Sequence, residues 1–331
     1  MQNRAMMIIS LILAVLVFLV GYTLMNRIDE TGEQDSSKPA EQENGEDQEK
    51  EQNGEKEEKD KQDEDEDEEV ADEAEEEASP WDMEEIEIEG EMPVPVLMYH
   101  HFDSEPETNA TITPEDFEQQ MQFLDEHGFS SISMDDLLKL LEEEDDSHLP
   151  DRPVLITIDD GYASTYHKAL PIMEEYGFDS YMFMITDRIG ETVGEYDFLT
   201  EEQLLTLEET GHPVESHSVS HDPFTEQEEG ESPEEWRQRI ETELVESKQV
   251  LEDLLDRDVD YFAYPFGAWD SETEQMVVDA GYEATFLARP GYVDEQSHPQ
   301  RLFRFGITKN TTMEEFGEIF DPWLDEEENG S

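Results

Sequence analysis

The sequence predicts an α/β domain over residues 92–331, a parallel sheet closed or nearly closed into an α/β barrel. A transmembrane helix (residues 1–28) and a disordered acidic linker (residues 29–91) are expected to precede it. Three observations predict this arrangement. Short apolar runs alternate with helical patterns through the last 240 residues. Ala5 to Met25 is a run of 21 residues without a charge. Residues 29–91 carry 32 acidic and 5 basic side chains, a density that repels itself and cannot bury a core.

At 1.5 Å per residue, roughly 20 apolar residues cross a hydrocarbon core as a helix. The apolar core of a cleaved signal peptide is shorter, about 7–15 residues, and Gly21 to Met25 offers no small-x-small cleavage pattern. An uncleaved anchor is therefore expected, with secretion after cleavage as the rival outcome. Within the C-terminal domain, Val94 to Tyr99 reads as an apolar strand. Thr113-Pro114 is an N-cap with proline at the first helical position, and Phe117, Met121 and Leu124 recur at helical spacing. Ser130 to Ser133 reads as a strand, and Met134 to Glu144 as a helix with Leu137, Leu138 and Leu141 inward. Val154 to Ile158 is continuous and β-branched, as in a strand buried on both faces. A helix to Tyr176 and a strand from Tyr181 to Ile185 follow. Thr200-Glu201-Glu202-Gln203 and Ser232-Pro233-Glu234-Glu235 are capping boxes that open helices. Strands at Pro213 to Ser216, Tyr261 to Tyr264, Ala284 to Leu287 and Phe303 to Ile307, with helices at Ser271 to Ala280 and Thr312 to Phe320, complete the alternation.

Composition removes several classes of function. The 331 residues hold 92 acids against 19 Lys and Arg, a formal net charge of −73. That leaves too few cations for a phosphate-binding face, so no nucleic-acid partner is expected, and a polybasic membrane-surface mode is excluded likewise. With no cysteine there is no disulfide framework, thiolate metal site or cysteine nucleophile. Residues 92–331 alone carry 60 acids and 12 bases, spread along the helices. This is a halophilic composition, tolerable where salt screens charge within about 3 Å at 1 M.

In α/β barrels, sites are built past the carboxyl ends of the strands. There this sequence places His100 and His101, then Asp159 and Asp160, then His217 and His221, then Pro265-Phe266-Gly267. Taken singly each is commonplace; their joint placement on one rim is not. One aspartate and two histidines make a three-ligand site with an open position, suited to Zn²⁺ or another borderline divalent ion. Adjacent aspartates on a strand end diverge, so one as ligand and one as base is the natural division.

Thr157-Ile158-Asp159-Asp160-Gly161, His217-Ser218-Val219-Ser220-His221 and Tyr264-Pro265-Phe266-Gly267 resemble the first three motifs of the polysaccharide deacetylases, the NodB-homology family. The opening Pro95-Val96-Leu97-Met98-Tyr99-His100-His101 resembles the permuted branch that includes poly-β-1,6-N-acetylglucosamine deacetylases. The resemblance spans residues 93–320. It implies a distorted (β/α) barrel of the polysaccharide deacetylase type, with Asp159 as general base, Asp160, His217 and His221 as metal ligands with zinc as the expected ion, His100 as general acid, and the Phe266 N–H as an oxyanion donor. Tyr264 and Pro265 would support the turn. The family's usual arginine at the start of the third motif is missing here, where Ala263 stands; Arg304 or Arg289 is the candidate replacement.

The expected reaction is hydrolysis of N-acetyl groups on an N-acetylglucosamine polysaccharide, with peptidoglycan, chitin-like oligomers and acetyl esters of xylan as alternatives. Tyr162, Tyr196 and Trp269 are candidates for stacking on sugar. The anchor and linker would hold the domain outside the membrane. A catalytically inactive carbohydrate-binding module and a structural envelope protein are the competing classes. The complete set of five site residues argues against the first, and the second predicts that removing Asp29 to Glu91 abolishes function while Asp160→Ala spares it.

Overall fold

The computed structural model describes residues 93–324 together with Ile86, Ile88, Gly90 and Glu91. The expected membrane span and nearly all of the acidic linker lie outside the described residues. Among the described residues no helix is long and apolar enough to cross a membrane.

Nine strands form one sheet: β1 (Val94–Tyr99), β2 (Ser130–Ser131), β3 (Pro153–Asp160), β4 (Tyr181–Met184), β5 (Val214–Ser216), β6 (Tyr261–Ala263), β7 (Ala284–Phe286), β8 (Tyr292–Val293) and β9 (Phe305–Gly306). Their order is β7-β6-β5-β4-β3-β1-β8, with β9 on β1 and β2 on β3. β1 and β3 pair in parallel from Val96↔Leu155 to Tyr99↔Ile158. All six residues of β1 and all eight of β3 are buried, as the Val94–Tyr99 run and the apolar and β-branched Val154–Ile158 run require of central parallel strands. The sheet curls. A parallel bridge from Phe286 to Leu302 and the β9–β1 pairing carry the chain across from β7 back to β1.

Side-chain alternation sorts the strands into two cores. One face, with Leu97, Tyr99, Val154, Ile156, Ile158 and Met182, packs against the helices. The other, with Val96, Leu155, Phe183, Ala263, Phe286 and Leu302, forms a separate inner cluster. Asp159 falls in the same alternation as Leu155, so a strand that is otherwise apolar delivers a carboxylate to the inner face.

The helices are α1 (Pro114–Glu126), α2 (Met134–Glu143), α3 (Leu170–Tyr176), α4 (Glu201–Glu209), α5 (Pro233–Leu255), α6 (Ser271–Asp279) and α7 (Met313–Glu318). Thr113 caps α1, and the capping boxes of Thr200 and Ser232 form as the sequence implies. Acidic residues fill the first turns of α1, α4 and α5, where the helix dipole favours negative charge.

Two local expectations need correction, and one further turn was not foreseen. In α2 the buried row is Met134, Leu137 and Leu140, while Leu138 and Leu141 are only partly buried; the helix is rotated because Met134, its first residue, packs inward. β8 runs antiparallel to β1, so the sheet is not wholly parallel. A wide π-helical turn at Thr165–Ala169 precedes α3.

Candidate active site

The carboxyl ends of β1, β3, β5 and β6 converge. Asp159 is 1% exposed, and Arg304 reaches it from the segment before β9. The guanidinium makes two parallel charge-assisted bonds, Nη1–H to Oδ1 and Nη2–H to Oδ2, both 2.7 Å. Nη1 also donates to Thr157 Oγ1 at 3.1 Å, and Nε to the Leu287 carbonyl at 3.2 Å. The Phe183 and Phe286 rings flank the guanidinium at 5.7 and 5.5 Å. Burial alone would raise the Asp159 carboxyl, but Arg304, with help from His217, holds it below the usual carboxylate range. The second candidate, Arg289, has an exposed side chain and contributes its carbonyl to the Arg304 N–H.

Asp160, His217 and His221 offer ligand atoms that all lie within 4.8 Å of one another. Asp160 Oδ1 is 3.5 Å from His217 Nε2 and 3.4 Å from His221 Nε2. His217 Nδ1–H donates to the Ala263 carbonyl at 2.7 Å, which assigns its lone pair to Nε2, the nitrogen facing Asp160. Asp160 Oδ1 is buried without a hydrogen-bond donor. A converging carboxylate and two imidazole lone pairs, with that oxygen unsatisfied, are a donor set that fits a divalent ion.

The two aspartates do not diverge as a regular strand would have them. Asp159 Oδ2 also lies 3.9 Å from His217 Nε2. The reason is backbone conformation: Asp160 has φ +73°, which turns its side chain out of the strand's alternation. Gly161 follows at φ +85°, a left-handed backbone that favours glycine, and a Cβ there would also displace the Met184 side chain, 2.0 Å from its Sδ. Six non-glycine residues among those described have positive φ. Glu144 and Asp256 cap helices; the other four, Asp160, Ser218, His221 and Phe266, all belong to this site. Left-handed backbone is costly for such residues and concentrates at functional sites.

His100 follows Tyr99, whose partner in β3 is Ile158, so it stands opposite Asp159. Its imidazole field lowers both aspartates, and its Nδ1 is buried without a partner. Burial pushes His217 down, but Asp159 and Asp160 outweigh it and the net shift is upward. His221 is pushed down to about 4, by burial first and by His217 next.

A cleft of about 480 Å³ opens over the triad, lined by Asp160, Tyr162, Arg188, Tyr196, His221 and Phe266. Phe266, at φ +57°, is 68% exposed and its ring lies 4.5 Å from that of His221. Tyr264 is buried edge-on against Phe262, and with Pro265 it shapes the turn from the core. Tyr162 and Tyr196 stand on the cleft wall with ring centroids 5.6 Å apart. Trp269 does not join them. Its indole N–H donates to Glu274, and the Arg301 guanidinium covers its ring at 5.0 Å.

Sequence reasoning placed His101 on the rim without a role and missed Glu243 altogether. His101 stands beside the cleft with Nδ1 2.8 Å from Ser164 Oγ and its ring 4.6 Å from that of Tyr162. Glu243 of α5 accepts hydrogen bonds from the loop between His217 and His221. An acidic residue on a helix in a chain so rich in acids carries no sequence signal of such a role.

Residues 146–285 match the family profile described as polysaccharide deacetylase. YxkH of Bacillus subtilis, whose name assigns it to the same family, is 27% identical over 224 residues, 68% of this chain and 75% of that protein. The poly-β-1,6-N-acetyl-D-glucosamine N-deacetylase of Staphylococcus epidermidis is 23% identical over 204 residues, 61% of this chain and 70% of that protein. In fold, the Streptococcus pyogenes deacetylase PplD, solved with acetate, superposes with a TM-score of 0.61 at 22% identity, covering 69% of this chain and 97% of that one.

Proposed function

From the polysaccharide deacetylase domain that this chain carries, we propose a divalent-metal hydrolase that removes N-acetyl groups from a polysaccharide rich in N-acetylglucosamine. The observation that carries this reading is the side-by-side placement of a buried carboxylate clamped by Arg304 and an Asp-His-His triad, two of whose members, Asp160 and His221, line an open cleft.

Asp160, His217 and His221 would hold the ion, with Zn²⁺ the first choice for that donor set. When bound it supplies Lewis-acid polarisation of the acetyl carbonyl and lowers the pKa of water. Asp159, kept ionised by Arg304, takes the proton from the attacking water. Its two oxygens are both engaged by the guanidinium, so its orientation is set before substrate arrives. The Phe266 N–H, on an exposed left-handed turn, donates to the oxygen that gains charge as the new C–O bond forms. His100, across from Asp159, delivers a proton to nitrogen as the C–N bond breaks, leaving a free amine on the sugar and acetate. Tyr162 and Tyr196 offer ring faces to the sugar.

The β-1,6-linked glycan is favoured over peptidoglycan and acetyl xylan by the His100 segment at the start of the domain, shared with that branch. A cell-surface or matrix polysaccharide lies outside the cell. That supports placing the domain there, tethered by the uncharged Ala5–Met25 run and the acidic segment that follows. The test is acetate release from a panel of β-1,6- and β-1,4-linked N-acetylglucosamine oligomers, peptidoglycan and acetyl xylan, with and without a chelator. Release confined to the ester substrate, or undiminished by the chelator, would overturn the proposal.

A further inference from the structure

The loop that would carry two of the three metal ligands is irregular, and its hydrogen bonds can be accounted for group by group. β5 ends at Ser216, and Ser218 and His221 are both left-handed, at φ +67° and +70°. The carbonyls of Ser218 and Val219 accept from Thr186 N–H and Asp187 N–H at 3.1 and 3.0 Å. The His221 N–H donates to Ser218 Oγ at 3.0 Å. The two successive N–H groups between the histidines, Val219 and Ser220, donate to a single atom, Glu243 Oε2, each at 2.9 Å. Consecutive amides converging in this way form an anion-binding nest, and here the anion is built into the protein.

Glu243 is 8% exposed on the inward face of α5. Most acids among the described residues are solvated, and burying a carboxylate in mid-helix is costly unless it is well answered. One turn on, Ser216 Oγ donates to Ser247 Oγ at 2.8 Å, and Ser247 Oγ donates to the Glu243 carbonyl at 2.7 Å. Spaced i and i+4 on one face, Glu243 and Ser247 grip the chain on both sides of His217.

We propose that Glu243 is a positioning residue that fixes the His217–His221 loop in its ligating conformation and thereby sets the metal affinity of the site. The proposal rests on the metal reading above. It has a specific chemical consequence. Because both N–H groups converge on one oxygen, a glutamine carbonyl can replace the carboxylate, whereas an aspartate, one methylene shorter, cannot reach. Partners that orient ligands commonly govern 10- to 100-fold in metal affinity.

The test is Co²⁺ titration of the metal-stripped full chain, followed by calorimetry and visible absorption. The wild-type chain is expected to take up one Co²⁺. E243Q should bind within about threefold of it and keep the same visible band. E243D and E243L should bind at least tenfold more weakly with an altered band. L244A, which removes a neighbouring core side chain of α5, should lower Tm yet keep wild-type affinity and spectrum. If E243L does not fold, E243D against E243Q decides. Wild-type affinity in E243D, or a loss in E243Q as large as in E243D, overturns the role of Glu243 while leaving the metal site standing. Failure of the wild-type chain to bind Co²⁺ removes the metal reading itself.

Discussion

Arg304 clamps Asp159 in a buried, bidentate pair across 145 residues of sequence. The pair gives Asp159 a guanidinium although Ala263 stands where the resemblance to the deacetylases leads one to expect arginine. Ala263 and the two rings that flank the Arg304 guanidinium, Phe183 and Phe286, belong to the same inner cluster. The small side chain at 263 leaves room there for an arginine arriving from another part of the chain.

Removing that guanidinium should therefore damage both stability and rate. Arg304→Ala strands a buried carboxylate, a change that costs about 3–5 kcal/mol, and it releases the proposed base from its orientation. Acetate release should fall by about 10²-fold or more, toward the loss expected for Asp159→Asn. Returning an arginine to the family's position, in Ala263→Arg/Arg304→Ala, should recover at least tenfold of the loss. Unchanged rates in Arg304→Ala, measured by acetate release at saturating substrate, would remove Arg304 from the site's chemistry.

The same pair sets a pH dependence. The folded-state pKa of Asp159 lies below its ordinary 3.8, so its contribution to stability is present above about pH 4 and is lost as pH falls through the folded value. In Arg304→Met, burial acts without its opponent and the carboxyl should move upward. That variant should lose stability as pH rises through the weakly acidic range, the reverse of the wild-type trend. The acid limb of its kcat/KM profile should move up by about one pH unit or more. Chemical denaturation between pH 4 and 8, together with the rate profile, checks both signs.

How much of this was legible in the sequence can be judged residue by residue. β3 and β1 were readable because central parallel strands are apolar without interruption, and the helix starts because capping boxes are local chemistry. The histidines and aspartates at the strand ends were readable because a strand end is a defined place on the rim. What escaped depended on contacts distant in sequence or on backbone strain. β8 has two residues and no periodicity to display. The left-handed turn at Asp160, which brings both aspartates to His217, contradicts the alternation that strand geometry implies. Arg304 could be named only as a candidate, because its partnership with Asp159 is made by sheet curvature. Glu243 looked like any other solvated acid on a helix.

Metal removal should be visible in stability as well as in activity. An ion that binds only the folded chain adds about 2.7 kcal/mol at 100 times its Kd. For a domain of this size that corresponds to a Tm shift of roughly 5–10 °C. Stripping with a chelator should lower Tm by that amount and abolish acetate release, and Zn²⁺ should restore both. In His221→Ala neither should be restored. A wild-type Tm indifferent to chelator and Zn²⁺ would count against Asp160, His217 and His221 as a metal site.

The tyrosines of the cleft should separate binding from chemistry. Tyr162 stacks on Phe198 at 4.8 Å and stands edge-on to Tyr196 at 5.6 Å, so Tyr196 can be truncated with less disturbance. If its ring receives a sugar, Tyr196→Ala should raise KM severalfold for oligomers and leave kcat within about threefold. Monomeric substrate should show a smaller effect. A fall in kcat at constant KM would instead place Tyr196 against the reacting group.

Charge should make the fold dependent on salt. Residues 92–331 carry 60 acids and 12 bases; among the described residues most acids are solvated, and few of the ion pairs are buried. Arg257 bonded to Glu208 and Glu215 and Arg304 bonded to Asp159 are the best enclosed. Surface pairs such as Arg237 with Glu272, each about half exposed, contribute little. Repulsion among the remaining carboxylates therefore opposes folding, and the Debye length sets its reach, about 10 Å at 0.1 M and 3 Å at 1 M. Tm should rise steeply between those concentrations with NaCl and KCl alike, because screening depends on ionic strength and not on the cation. Buried pairs are screened much less, so the rise should be similar in Arg304→Lys, which keeps the charge at Asp159. A Tm that is flat in salt would mean that the acidic surface is solvated at no cost to the fold, and the inference of adaptation to concentrated salt would fall.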